Sequence, residues 1–187
     1  AAHLDGFGSV EDVAVAKGEI YDGLGASDIA VINADQPWAA QGRERAAPAR
    51  IIDFATERPA VVTAQKIIGR GIDGTSFTAV TPLGEFEVTL AVPGRHNVAN
   101  ALAAIAVGVA CELQPQEIAA GLANVRAVGG RLATRFTAAG TTVIDDCYNA
   151  NPGSVRAAID LLASCPGRRT LVLGEMRELG PGSMELH

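Results

Sequence analysis

The unbroken apolar run Ile29-Ala30-Val31-Ile32, closed by Asn33 and flanked by Asp28 and Asp35, constrains the fold more than any other segment. A strand with one face in water alternates apolar and polar residues, whereas a continuous run belongs to a sheet covered on both faces. Such a sheet is parallel in at least part and carries helices, and the residues before the run supply one. Ser9 and Asp12 have the spacing of a capping box, although the box prefers Glu at its second position. From there Val10, Val13, Ala14, Ile20, Tyr21 and Leu24 mark an apolar stripe at helical spacing, running to about Asp22 and ending near Gly23 and Gly25. This helix reads as the crossover into the strand. Lys17 lies inside the stripe. Either its stem packs while the amine reaches water, or the amine is held in a dry or metal-rich place where it titrates abnormally.

The remainder keeps an α/β rhythm with one interruption. Residues 36–50 have a helical tendency, and 51–54 and 60–63 are short strands around the Glu57-Arg58-Pro59 turn. Residues 66–71, 76–82 and 85–92 alternate in character and are joined at Asp73-Gly74 and Leu83-Gly84, which predicts an antiparallel subdomain folded against the main sheet. A helix runs from Asn97 to about Glu112, and a shorter one spans 116–122. Asn97 and Asn100 share a face of the first turn, where amides can read a purine edge or Asn97 can simply cap. The paired glycines Gly129-Gly130 predict a loop, and Arg131 beside them could form a surface ion pair.

Residues 135–137 and 141–145 read as a hairpin around Ala139-Gly140, with 141–144 a buried strand. Asp145 and Asp146 stand at its carboxyl end, where α/β sheets bind ligands and where a carboxylate can also cap a turn. Ser154 or the Pro152-Gly153 pair then opens a helix with Val155, Ala158, Ile159 and Leu162 on one face. A last apolar strand is predicted at 169–173.

Totals narrow the function. With 187 residues and 48% hydrophobic content the chain can bury a core of one or two domains. A net charge of −6, from 15 basic and 21 acidic residues, argues against a general nucleic-acid or membrane-surface role. No apolar run has the length of a membrane span, and the first residues do not resemble a signal peptide. Three cysteines without paired spacing fit a reduced, cytoplasmic setting, with the thiols as small core or turn residues. Zinc is disfavoured, because the only histidines are His3, His96 and His187 and none is near a cysteine.

The stretch Asp145-Asp146-Cys147-Tyr148-Asn149-Ala150-Asn151-Pro152-Gly153-Ser154 resembles the start of the third domain of the Mur ligases, which usually have Ser at the position of Cys147. The resemblance continues through Ala2-His3-Leu4, Ala16-Lys17-Gly18-Glu19-Ile20, Gly94-Arg95-His96-Asn97-Val98-Ala99-Asn100 and Gly130-Arg131-Leu132. It implies an α/β fold in two parts. Residues 1–127 would be the later half of the central ATP-binding domain, a mostly parallel sheet with a small antiparallel subdomain. Residues 128–187 would be the first half of a Rossmann-like C-terminal domain. It further implies that a carbamylated Lys17 and His3 bind Mg²⁺ and that Asn97 and Asn100 line the adenine of ATP, Asn100 as base reader. Arg131 would approach the terminal phosphate and Asp146 the ribose, while Tyr148, Asn149 and Asn151 line the cleft near nucleotide or incoming dipeptide. Glu175 stands where family members often have Asp.

Within the family the pattern is most similar to the member that adds D-alanyl-D-alanine to UDP-N-acetylmuramoyl-tripeptide in the cytoplasmic stage of peptidoglycan synthesis. The implied chemistry is ATP-dependent amide formation through an acyl phosphate, on these two small-molecule substrates, with no nucleic acid and no membrane. No Gly-x-x-x-x-Gly-Lys-Ser/Thr phosphate loop occurs in the sequence. Its family position lies before residue 1, so an internal segment with little activity by itself is expected. Another Mur ligase, a folylpolyglutamate synthetase, or a non-catalytic nucleotide-binding module remain as alternatives.

Overall fold

A computed structural model describes residues 4–177, 179 and 183–187. Its centre is one five-stranded sheet of β1 (Ile29–Asn33), β2 (Arg50–Ala55), β3 (Val62–Gly69), β4 (Thr75–Thr81) and β5 (Gly84–Leu90), in that spatial order. The pairs β1–β2 and β2–β3 are parallel, and β3–β4 and β4–β5 are antiparallel. The mixed α/β architecture is as anticipated, with one refinement. The antiparallel strands do not form a patch laid against the main sheet; they extend it. Residues 60–63 and 66–71, anticipated as separate strands, contribute to the single β3. A register shift between Gln65 and Ile68, with Lys66 at φ 50°, breaks the alternation in mid-strand and makes one strand look like two.

Both faces of β1 are covered, as its composition demands. Ala30 and Ile32 pack on one side with Ala39 and Ala46 of α3 (Ala39–Ala46) and with Tyr21 and Leu24. On the other side Ile29 and Val31 join the main core. That core sets Ile52, Phe54, Val62, Phe77, Val88 and Leu90 of the sheet against Val98, Leu102 and Ile105 of α4 (Arg95–Ala110) and Ile118 and Leu122 of α5 (Pro115–Ala123). The two helices meet closely at Gly108, where a β-carbon would lie 2.8 Å from Ile118.

The amino-terminal helices are α1 (Leu4–Phe7) and α2 (Val10–Gly18), the latter running into a 3₁₀ turn, Glu19–Tyr21. Ser9 caps α2, its hydroxyl accepting from the Asp12 amide at 3.0 Å. The apolar stripe is only partly used: α2 has no buried residue, Ile20 is 77% exposed, and the packing is done by Tyr21 and Leu24.

After α5 the chain passes through residues 124–129, all exposed, into the hairpin β6 (Ala133–Phe136) and β7 (Thr142–Asp145). Then come α6 (Pro152–Ser164) and α7 (Ser183–Leu186). Here three expectations are corrected. The strand at 141–144 is not buried, since β7 pairs only with β6 and Val143 is 42% exposed. Residues 169–173 form no strand: they pair with nothing among the described residues, and Val172 is 90% exposed. The buried residue of α6 is Leu161 rather than the face of Val155, Ala158, Ile159 and Leu162, because α6 rests on the Gly71–Asp73 turn between β3 and β4.

Cys111, Cys147 and Cys165 are all free and none is buried; Cys111 and Cys165 are the C-caps of α4 and α6, so they serve as turn rather than core residues. Among the described residues no helix is long and apolar enough to cross a membrane.

Candidate active site

The amino end of α4 is one wall of the site. Gly94, at φ 98°, precedes the helix without a side-chain cap, so Asn97 is not the N-cap. Instead its amide nitrogen donates to the Pro93 carbonyl at 2.7 Å, and its side-chain oxygen accepts from the Asn100 amide at 3.1 Å. Asn97 is thus half-buried and committed to the turn, while Asn100 is exposed and oriented by it. An amide held in this way can offer both a donor and an acceptor to one ligand edge.

A bracket that sequence reasoning missed supports this end of the helix. Asp35, following β1, accepts from the backbone amides of Thr56, Glu57 and Arg58 and from the Thr56 hydroxyl, at 2.6–3.2 Å. Burial pushes the Asp35 carboxyl up, but these hydrogen bonds outweigh it and hold it below the ordinary carboxylate value. Glu57 in turn accepts from Arg95 at 2.6 Å, tying the loop after β2 to the first residue of α4. The sequence signal available was the pair of polar loops at the carboxyl ends of two parallel strands, where such sheets place their sites.

The opposite wall comes from residues 130–151. The Leu132 amide donates to Asp146 Oδ1 at 3.1 Å, and the Tyr148 amide donates to the Gly130 carbonyl at 3.0 Å. Gly130 has φ +75°, and a β-carbon there would lie 3.1 Å from the Tyr148 nitrogen, so both conformation and space call for glycine. The Arg131 guanidinium sits over the Tyr148 ring, 4.4 Å from its centroid. Asp145 is engaged by Cys147 and, at 3.5 Å, by Arg135; these partners lower its carboxyl, and Asp145 in turn raises the Cys147 thiol.

Asp146 is the link between the walls, because its charge reaches His96 on α4. His96 keeps much surface in solvent, yet its ring lies over Gly94; partial loss of water lowers its basicity, and the Asp146 carboxylate opposes that shift. Beside this meeting point opens a cavity of ≈ 330 Å³, bounded by Gly94, Arg95 and His96 on one side and Ala157, Asp160 and Leu161 of α6 on the other.

The structure thus pairs Asn97 with Asn100 at the amino end of α4, and, on the segment that leads into α6, Arg131 with Tyr148 and the Leu132 amide with Asp146. Asn149 is exposed, its side chain accepting from the Ala150 amide at 2.9 Å. Asn151 is the N-cap of α6: its side-chain oxygen accepts from the Gly153 and Ser154 amides, and its own amide donates to the Ser154 hydroxyl. The side chain is spent on the helix end, which is what the Asn-Pro-Gly-Ser spacing encodes. Lys17 is exposed in the last turn of α2. His3 lies outside the described residues. Among the described residues no three His, Cys, Asp or Glu side chains gather as a cation site. A carbamate on the exposed Lys17 amine would offer the hard oxygen donors that Mg²⁺ takes, so Lys17 fits the ion in that modified form.

Residues 1–108 match the Mur ligase middle domain, and residues 130–187 match the "Mur ligase, glutamate ligase domain". UDP-N-acetylmuramoyl-tripeptide–D-alanyl-D-alanine ligase of Escherichia coli K12 is 43% identical over 187 residues, the whole of this chain and 41% of that protein. A crystal structure of MurF from Acinetobacter baumannii superposes with a TM-score of 0.91 at 34% identity, covering 98% of this chain and 40% of that one. MurF ligase from Thermotoga maritima in complex with ADP gives a TM-score of 0.83 at 26% identity, covering 99% and 42%. The chain thus spans about 40% of the length of the relatives it matches. Two domain matches that share the chain between them, on a fold that superposes throughout, place it: the chain belongs to the Mur ligase family.

Proposed function

We propose that these residues form the nucleotide-facing part of an ATP-dependent ligase that joins D-alanyl-D-alanine to UDP-N-acetylmuramoyl-tripeptide in the cytoplasm. The observation that carries the reading is the cavity shared by the amino end of α4, at Gly94, Arg95 and His96, and by α6, at Ala157, Asp160 and Leu161, which turns the segment bearing Asn97 and Asn100 and the segment bearing Asp146 toward one crevice. Residues 1–127 and 128–187 act as two lobes about that crevice. Asn100, steadied by Asn97, reads the adenine edge, and Asp146, whose Oδ1 holds the Leu132 amide, accepts from a ribose hydroxyl at its other oxygen.

In the reaction a tripeptide carboxylate oxygen attacks the terminal phosphorus of ATP, and the bond to the bridging oxygen of ADP breaks. The amine of D-alanyl-D-alanine then attacks the acyl phosphate; the C–O bond breaks, phosphate leaves, and the amine gives up its proton. Such transfer depends on positioning and charge neutralisation more than on covalent participation by protein. Arg131 supplies positive charge at the phosphoryl group. Mg²⁺, when bound, supplies further charge at the phosphates; His3 and a carbamylated Lys17 are its candidate ligands. Tyr148 and Asn149 border the path of the incoming amine.

The test is phosphate release by the protein at its full natural length, with UDP-N-acetylmuramoyl-tripeptide and a panel of amine acceptors. Release that requires D-alanyl-D-alanine supports the assignment. Preference for a single amino acid or for glutamate points to another ligase of the superfamily, and no turnover with any acceptor points to a binding module.

A further inference from the structure

The Arg131–Tyr148 pair is unusual in being assembled rather than incidental. An exposed arginine ordinarily samples many rotamers, and an aromatic ring that is 68% exposed ordinarily has no reason to be kept. Here two backbone contacts flank the arginine, Tyr148 N–H to the Gly130 carbonyl on one side and Leu132 N–H to Asp146 on the other. They fix the Arg131 backbone relative to the ring, and Gly130 permits the approach because any β-carbon would crowd Tyr148. The guanidinium then lies 4.4 Å from the ring centroid, within cation–π range.

We infer that Tyr148 is a positioning residue for Arg131: its ring is a shelf that holds the guanidinium in place ahead of nucleotide. The inference rests on the phosphate role proposed for Arg131. Charge stabilisation is effective when the group is already in place, because ordering a long side chain during the reaction opposes the gain. The face of the ring, not the hydroxyl, is what the shelf requires.

The experiment has two parts. In the full-length protein, steady-state ligation is compared for Tyr148→Phe, Tyr148→Leu, Arg131→Ala and the Arg131→Ala/Tyr148→Leu double variant. Tyr148→Phe is expected within about twofold of the parent, and Tyr148→Leu to lose about tenfold in kcat with little change in KM for ATP. The double variant is expected to be no slower than Arg131→Ala. Multiplying losses, or a Phe variant as damaged as Leu, would overturn the shelf while leaving the phosphate role intact. An Arg131→Ala variant with unchanged kcat would remove that role and the inference with it. In the 187-residue chain, NMR should show Arg131 side-chain protons shifted upfield by the ring, kept in Phe and lost in Leu. Unshifted protons in the parent would overturn the contact itself, whatever the kinetics.

Discussion

Asn97 is tied into the turn while Asn100 is exposed, and their substitution should separate a structural amide from the one proposed to face the nucleotide. Asn100→Ala removes the exposed amide and is expected to weaken ADP binding about tenfold by calorimetry, the value of one or two directed hydrogen bonds. Asn97→Ala should cost less affinity but also lower the melting temperature, because the Pro93 carbonyl loses its partner. Asp35 acts through its loop and should be read by pH. Its folded carboxyl sits below the ordinary 3.8, so its stabilising contribution is complete above that value and disappears as pH falls through the folded one. Asp35→Asn is therefore expected to flatten the acid limb of a stability–pH curve measured by urea unfolding. The asparagine spacing was legible in the sequence because three residues on a helix share a face. The roles of Asp35 and Tyr148 were not, since their partners lie 21 to 23 residues away and, for the ring, 17 away across a turn whose closure depends on Gly130.

At the scale of elements, α4 and α6 are held by different means. Leu102 on α4 is fully buried between helix and sheet. Leu102→Ala should cost about 2–5 kcal/mol in chemical denaturation, depending on how far the core collapses into the gap. Gly108→Val should cost about 1–3 kcal/mol by forcing α4 from Ile118. The α6 helix buries only Leu161 and leans on its cap, so Asn151→Ala should cost about 0.5–2 kcal/mol and fray its first turn, seen as faster amide exchange at Gly153 and Ser154. Boundaries of β1, β2 and α5 were readable because their apolar pattern and end residues agree. The junction inside β3 was misread because a bulge at Lys66 changes the phase of alternation without changing the pairing. Residues 169–173 show the complementary failure: an apolar run becomes a strand only when a neighbour accepts its backbone hydrogen bonds.

For the molecule as a whole, the covering of β1 on both faces was foreseeable from one apolar run, whereas the placing of α6 across from the amino end of α4 was not. Which loops converge is set by chain path, and no local pattern encodes it. The exposed connection at residues 124–129 is the weakest part of that path. Limited trypsin digestion is expected to cut first after Arg126, and bound ADP should slow the cut by drawing the two sides together. Beyond it, Gly130 to Leu132 is fastened to Asp146 and Tyr148 by hydrogen bonds, so any bending of the two proposed lobes is expected before Gly130 rather than between the arginine and the aspartate. Like the jaws of a caliper locked at one setting, those two charges arrive together or not at all. If the sugar is held at the one as proposed, the place of the last phosphorus is thereby measured out, and sugar-altered analogues are expected to be penalised in turnover as well as in affinity.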